Sequence, residues 1–293
     1  MVHAMTLLYF DDEATFALRL AELAGLTPEL IQRHRFPDGE VKLRLPPTLP
    51  SRVVIFRSLH DPNEKLIELL FVARTARELG AQHLTLVAPY LAYMRQDMAF
   101  QPGEVVSQRI VGQWLASLFD ALVTVDPHLH RVATLQEAVP VREGVVLSGA
   151  PLLGDLIAQH HAHPFLMGPD KESAQWVAKA ALRHGFDHAV CQKIRHGDRS
   201  VDIALPHVDV RGRAVVLLDD VASSGRTVAS AAAQLLVAGA ASVDVAVTHA
   251  LFAGDAFQVL LDAGVSQVWS TDSIAHPTNA VSVLPAIAHA LKK

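Results

Sequence analysis

The chain has 293 residues and a single cysteine, Cys191, so no internal disulfide can form and a reducing compartment is expected. Charge is scarce as well. Charged residues make up 19%, and 25 Lys and Arg against 30 Asp and Glu leave a net charge of -5. A slightly acidic chain is a poor general binder of nucleic acid. Long apolar runs are missing too. The most apolar stretch, 228–252, is interrupted by Gln234, Gly239, Asp244 and His249. It reads as a buried helix and a buried strand, not as a membrane span. The first nine residues hold no basic segment followed by an apolar run, so no signal peptide is expected. A cytoplasmic protein with neither membrane nor nucleic-acid partners is the expectation.

What is present is apolar residue: 51%, which excludes a disordered chain. At roughly 150 residues per domain the length suggests two domains. Short branched-rich runs predict strands at 7–10, 53–56, 84–88, 122–125, 145–147, 165–167, 189–192, 215–218, 243–248 and 267–270. Helical spacing fills the gaps. One helix is predicted over 63–79, with Leu66, Leu69, Leu70 and Ala73 on its apolar face and Gly80 as its stop. Another places Val106, Ile110, Trp114 and Leu118 four residues apart. Such alternation predicts α/β architecture with parallel sheets covered on both faces. Segment 52–90 resembles segment 213–249: each begins with a basic residue and an apolar strand, passes a polar loop, and enters a helix stopped by glycine. The separation is about half the chain, which reads as a duplicated domain. A boundary is placed near residue 143, giving domains 1–143 and 144–293, with the last helix able to pack back on the first.

The most informative segment is 215–227, VVLLDDVASSGRT. An apolar strand delivers two adjacent carboxylates, Asp219 and Asp220. A short loop follows, Ser223-Ser224-Gly225-Arg226-Thr227, and then a helix begins. Small side chains let backbone N–H groups approach an anion, and the helix N-terminus completes a phosphate cradle. The acids would repel that phosphate; they suit sugar hydroxyls, directly or through Mg²⁺. Together they read as a ribose-phosphate site at the carboxyl end of a parallel sheet. The plainer alternative is an acidic turn with a serine helix cap.

This segment resembles the phosphoribosyl-diphosphate loop of type I phosphoribosyltransferases. Further matches in chain order resemble the ribose-phosphate pyrophosphokinase family: Phe36-Pro37-Asp38-Gly39-Glu40, Arg95-Gln96-Asp97, Thr124-Val125-Asp126-Pro127-His128, Pro169-Asp170, Lys193-Ile194-Arg195 and Thr248-His249-Ala250-Leu251-Phe252. Ser223, and Pro102-Gly103-Glu104 after the Arg-Gln-Asp segment, resemble the shorter archaeal-like form. Arg226, where glycine is usual, adds a cation beside the phosphate, and Glu172-Ser173 replace a smaller pair.

The resemblance implies two phosphoribosyltransferase-like domains, the first on the nucleotide side and in subunit contacts, the second carrying the ribose-phosphate loop. It implies that ATP gives its diphosphoryl group to ribose 5-phosphate, with Mg²⁺ as cofactor and association to a dimer or higher. Lys193 and Arg195 would be catalytic. Phe36, Asp38 and Glu40 of a neighbouring subunit, with Arg95, Gln96, Asp97 and His128, would bind ATP. Asp219, Asp220, Ser223, Ser224, Gly225, Arg226 and Thr227 would bind ribose 5-phosphate, and His128 and Asp170 would orient the metal. The turn Gly197-Asp198 would belong to a flap. A zinc site on His128 and His130 is disfavoured, since no matching later ligand set follows. Two other functions fit part of the pattern. One is a phosphoribosyltransferase that consumes the product, and the other is a silent regulatory subunit of a synthetase.

Overall fold

Two six-stranded sheets, every strand pair parallel, organise the chain in the computed structural model, which describes residues 5–196 and 200–292. The first half runs β1 (Thr6–Tyr9), α1 (Ala14–Ala24), β2 (Thr27–Leu30), β3 (Gln32–Arg35), β4 (Val41–Arg44), β5 (Arg52–Phe56), α2 (Pro62–Glu78), β6 (His83–Ala88), α3 (Ser107–Leu118), β7 (Ala121–Val125), α4 (Leu135–Ala138) and β8 (Glu143–Leu147). The second runs α5 (Ala150–His160), β9 (Phe165–Gly168), α6 (Ala174–Leu182), β10 (Asp187–Val190), β11 (Gln192–His196), β12 (Ser200–Ala204), β13 (Ala214–Ala222), α7 (Arg226–Val237), β14 (Ser242–Ala250), α8 (Ala256–Asp262), β15 (Val268–Thr271), β16 (Asn279–Val281) and α9 (Leu284–Leu291).

The sheet orders are β2-β1-β5-β6-β7-β8 and β10-β9-β13-β14-β15-β16. They are the same order, strand for strand. Each half also interrupts its sheet at the same point with a separate antiparallel ribbon, β3–β4 in the first and β11–β12 in the second. A shared order of this kind is the duplication expected from segments 52–90 and 213–249. The compact units are residues 1–147 with 284–293, and residues 148–283. Helix α9 lies on α1 within the first unit, as α5 lies on α6 within the second.

Alternation along the strands explains why both faces need helices. Val215 and Leu217 join one apolar cluster with Val228, Leu235 and Leu260 of α7 and α8. Val216 and Leu218 join another with Leu153, Ile157 and Val177 of α5 and α6. A strand buried on both sides reads as a continuous apolar run, which is why the parallel architecture was legible. In the first unit Val53, Ile55, Leu84 and Leu86 pack with Leu69 and Val72 of α2 and Leu115 of α3.

Three readings need correction. Strand β13 runs on to Ala222, so Asp219 and Asp220 lie inside the strand and not past its end. The predicted strand 189–192 is two elements, broken at the buried Cys191. In α3 the apolar spacing misled: Ile110 is 54% exposed, and the buried face is Gln108, Gly112, Leu115 and Leu118. Close helix packing onto α4 decides that face. A Cβ on Gly112 would stand 1.8 Å from the carbonyl oxygen of Ala138. Gly112→Ala is therefore expected to cost about 3 kcal/mol, because backbone and not a flexible side chain must give way. Urea unfolding measures it, and a loss below about 1 kcal/mol would contradict the packing.

Candidate active site

The carboxyl ends of the second sheet gather three carboxylates. Strand β9 pairs with β13 in the register Leu217↔Met167, so the chain leaving β9 brings Asp170 alongside Asp219 and Asp220. Asp170 caps the 3₁₀ turn Lys171–Ser173, its Oδ1 accepting from the backbone N–H of Glu172 at 2.9 Å and of Ser173 at 3.3 Å. Asp220 is buried, and Asp219 Oδ1 accepts from the Asp220 N–H at 2.9 Å. Burial, then the charges of Asp220 and Asp170, push the Asp219 carboxyl well above the usual carboxylate range. Oxygen-only donors crowded until one resists ionising fit a hard divalent cation.

The loop after the strand has a geometry that can hold an anion. Gly225 holds a left-handed φ of 68° immediately before α7, and a Cβ there would stand 2.9 Å from the Ala256 carbonyl oxygen. Helix α7 starts without a side-chain cap. Its first N–H groups and dipole thus face the same sheet end as the carboxylates. Ser224 and Arg226 are exposed, Ser223 and Thr227 half-buried. The Ser223 carbonyl accepts from Ala253 N–H at 3.0 Å, tying the loop to the chain after β14. At the carboxyl end of β14 His249 is buried, with Nδ1 2.8 Å from Ser273 Oγ, while Ser273 Oγ donates to the Thr248 carbonyl at 2.9 Å.

In the first unit the loop after β6 and the loop after β7 meet. Asp97 Oδ1 accepts from Arg131 Nη1, and the Arg131 guanidinium lies 5.6 Å from the centre of the Phe100 ring. The Asp97 side chain is almost wholly buried, so it joins two loops and does not face outward; its Oδ2 has no partner among the described residues. Gln96 Nε2 donates to the Met98 carbonyl at 2.9 Å, and Arg95 is exposed. His128 and His130 stand with ring centres 3.9 Å apart, their Nε2 atoms in contact. Phe36–Glu40 forms the tip of the β3–β4 ribbon, closed by Phe36 N–H to the Glu40 carbonyl at 2.8 Å and Glu40 N–H to Asp38 Oδ1 at 3.1 Å. Phe36 is partly exposed there. Lys193 and Arg195 occupy β11, opposite Ile203 and Val201 of β12. Gly197 and Asp198 lie outside the described residues.

Comparison with known proteins agrees with this layout. Residues 5–118 match the N-terminal domain of ribose phosphate pyrophosphokinase, and residues 149–271 match the phosphoribosyl transferase domain. The ribose-phosphate pyrophosphokinase of Methanopyrus kandleri is 35% identical over 98% of this chain and 99% of its own. The chain belongs to the ribose-phosphate pyrophosphokinase family. Ribose-phosphate pyrophosphokinase 1 of Archaeoglobus fulgidus is also 35% identical, over 98% of this chain and all of that protein. The crystal structure of the phosphoribosylpyrophosphate synthetase from Mycobacterium smegmatis superposes with a TM-score of 0.86, covering 99% of this chain and 98% of that one. At 24% identity it speaks for the fold.

Membership in the ribose-phosphate pyrophosphokinase family leaves several site features that sequence reasoning missed. Arg131 had no motif to announce it. A buried ion network around Arg57 had a signal: Lys65 and Glu68 fall on the same helical face as Leu69 and Val72. The face built on Leu66 and Leu70 passed over them. One consequence of the crowded carboxylates is testable without activity. Asp219→Asn removes repulsion that the metal-free fold must bear, so it should raise the Tm of metal-free protein at pH 7.5. A carboxyl whose pKa is raised by folding favours the folded state at low pH. That advantage disappears as pH climbs from the unfolded value, about 4, through the raised one. The stabilisation by asparagine should therefore shrink on acidification, and a Tm gain that is absent or independent of pH would contradict the crowding.

Proposed function

We propose that the chain transfers the diphosphoryl group of ATP to the 1-hydroxyl of ribose 5-phosphate, giving 5-phosphoribosyl 1-diphosphate and AMP. The observation that carries this reading is the β13–α7 junction, where buried carboxylates and an uncapped helix N-terminus lie one after the other at a parallel sheet end. The N–H groups of Gly225, Arg226 and Thr227, with the Ser223 and Ser224 hydroxyls, hold the 5-phosphate. Asp219 and Asp220 face the sugar hydroxyls. The sugar 1-oxygen attacks the β-phosphorus, and the bond from the β-phosphorus to the oxygen bridging to the α-phosphate breaks. AMP leaves with that oxygen and its electron pair.

Positioning and charge supply nearly all the catalysis in such a step. Lys193 and Arg195 on the β11–β12 ribbon stabilise charge growing on the transferred group and on AMP. Arg95, Gln96, Asp97 and His128 serve the nucleotide from the first unit. Phe36, Asp38 and Glu40 do so from a second copy of the chain, Phe36 offering a π-face and the acids accepting from the base amino group. The active form is then at least a dimer. Asp170 and His128 would hold Mg²⁺, with Asp219 and Asp220 as further oxygen donors. When bound, the ion neutralises phosphate charge and screens the crowded acids. The first unit is the nucleotide side and the second the ribose-phosphate side. The work is placed in the cytoplasm; among the described residues no helix is long and apolar enough to cross a membrane.

Purified protein with Mg-ATP and ribose 5-phosphate, followed by mass spectrometry, tests the assignment. Stoichiometric AMP and phosphoribosyl diphosphate are expected. Consumption of phosphoribosyl diphosphate with a base would instead indicate a phosphoribosyltransferase, and nucleotide binding without turnover a silent subunit. Lys193→Ala should lower kcat by about 100-fold or more with smaller effects on binding; near-normal kcat in folded protein would remove Lys193 from the chemistry. Asp220→Asn should weaken ribose 5-phosphate more than ATP in separate calorimetric titrations, and equal losses would displace it from the sugar. Mixing inactive Phe36→Ala/Asp38→Ala protein with inactive Lys193→Ala protein should restore part of the activity. Absence of recovery despite demonstrated subunit exchange would refute the shared site.

A further inference from the structure

The two ribbons are internal counterparts, and their sequences run in parallel: Gln32-Arg33-His34-Arg35 in β3, Gln192-Lys193-Ile194-Arg195 in β11. Each thus carries cations at its second and fourth positions. In the first unit those cations are taken by α2. Arg33 Nη1 donates to Glu68 Oε1 at 2.8 Å, and Arg35 Nη1 donates to Glu64 Oε1 at 2.9 Å. The match is geometric. Two residues along a strand advance about 6.6 Å, and four along a helix about 6 Å, so alternate strand positions meet successive helical turns. Helix α7, the counterpart of α2, contains no acidic residue.

The two pairs differ in depth. Glu64 is exposed, and such a pair contributes little. The Glu68 side chain is 1% exposed. Its second oxygen accepts from Arg57 Nη2, and Arg57 Nη1 donates to Asp12 at 2.7 Å and to Glu13 at 3.0 Å. Arg33 Nη2 completes the set on Asp11 at 2.8 Å. An isolated two-stranded ribbon is marginal in water, and most of β3 and β4 is exposed. Arg33 ties the ribbon to Glu68, a carboxylate held in the unit's interior, and Leu43 of β4 packs on the core.

We propose that Glu68 is a positioning residue for nucleotide binding: through Arg33 it fixes the ribbon whose tip, Phe36–Glu40, reaches the ATP of a second copy. This rests on the reading of Phe36 given above. The test is steady-state kinetics on the full-length enzyme. Glu68→Gln should raise KM for ATP about tenfold, with kcat and KM for ribose 5-phosphate within about twofold of the parent. Combined with Phe36→Ala it should add little, since a misplaced tip and a missing ring lose the same contact. Glu64→Gln should leave all three constants within about twofold, as an exposed pair. If Glu68→Gln does not fold, Arg33→Gln, which leaves Glu68 on Arg57, carries the same expectation. Should Phe36→Ala raise KM for ATP while folded Glu68→Gln or Arg33→Gln does not, the positioning role is overturned and the nucleotide reading survives. A fall in kcat at unchanged KM, or full additivity with Phe36→Ala, overturns it too. Unchanged KM for ATP in Phe36→Ala itself defeats both.

Discussion

Charge held at the carboxyl end of the central strand is the constraint on which both units turn. Val53–Phe56 and Val215–Leu218 occupy equivalent strands, and each is followed by a charged residue: Arg57 in one, Asp219 in the other. A charge leaving water there must be compensated or it changes protonation. Arg57 is compensated from within, by Asp12, Glu13 and Glu68. Asp219 instead meets two further carboxylates and resists ionisation. The same backbone position is thus closed by an internal ion network in the first unit and crowded by further carboxylates in the second.

The network carries its own electrostatic cost. Burial pushes Glu13 up despite Arg57 and Lys65 beside it, and pushes Lys65 down despite Glu13. His60, with both ring nitrogens near Lys65 Nζ, falls to about 4 and stays neutral at physiological pH. Lys65 Nζ donates to the Ser58 carbonyl at 2.7 Å. Replacing such a cluster by apolar side chains is often neutral or stabilising in other folds. Its use here is directional: fixed forks on Arg33 and Arg57 hold the ribbon at one angle, which an apolar patch would not.

The parallel sheets, the duplication and the β13–α7 loop were readable because each rests on local pattern. Continuous apolar runs mark strands buried on both faces, and Gly225 followed by a helix start marks an anion-binding turn. The ribbons were harder. Residues 32–35 are polar at every position, and the alternation Val41-Lys42-Leu43-Arg44 is only four residues long, too short to stand out from loop. Helix α3 misled because Gly112, the residue admitting the α4 backbone, counts as neutral in any hydrophobic tally, while exposed Ile110 counts fully. Arg131 was illegible because its meaning lies in Asp97, 34 residues away, and the helical spacing that marks Glu68 as buried does not name Arg33, 35 residues away. Spacing can place a side chain on a buried face but does not name its partner across the fold.

Backbone strain has the same address as the chemistry. Among the described residues four non-glycine positions hold positive φ: Asp61 at 49°, Tyr93 at 62°, Asp126 at 35° and Phe252 at 34°. Each lies just past the carboxyl end of a sheet strand, after β5, β6, β7 and β14. Such conformations cost about 1–3 kcal/mol apiece unless the surroundings over-determine them. Here they do: Asp126 N–H is held by the Leu147 carbonyl at 2.9 Å, Phe252 N–H by that of Ala222 at 2.9 Å, and the Tyr93 hydroxyl by Asn63 Oδ1. Two of the strained positions immediately precede segments of the proposed nucleotide site, Tyr93 before Arg95–Asp97 and Asp126 before His128. A relaxed turn would let those side chains drift by the ångström that transfer between two anions does not tolerate. Two sheets buried on both faces supply the stability that lets the loops above them stay strained.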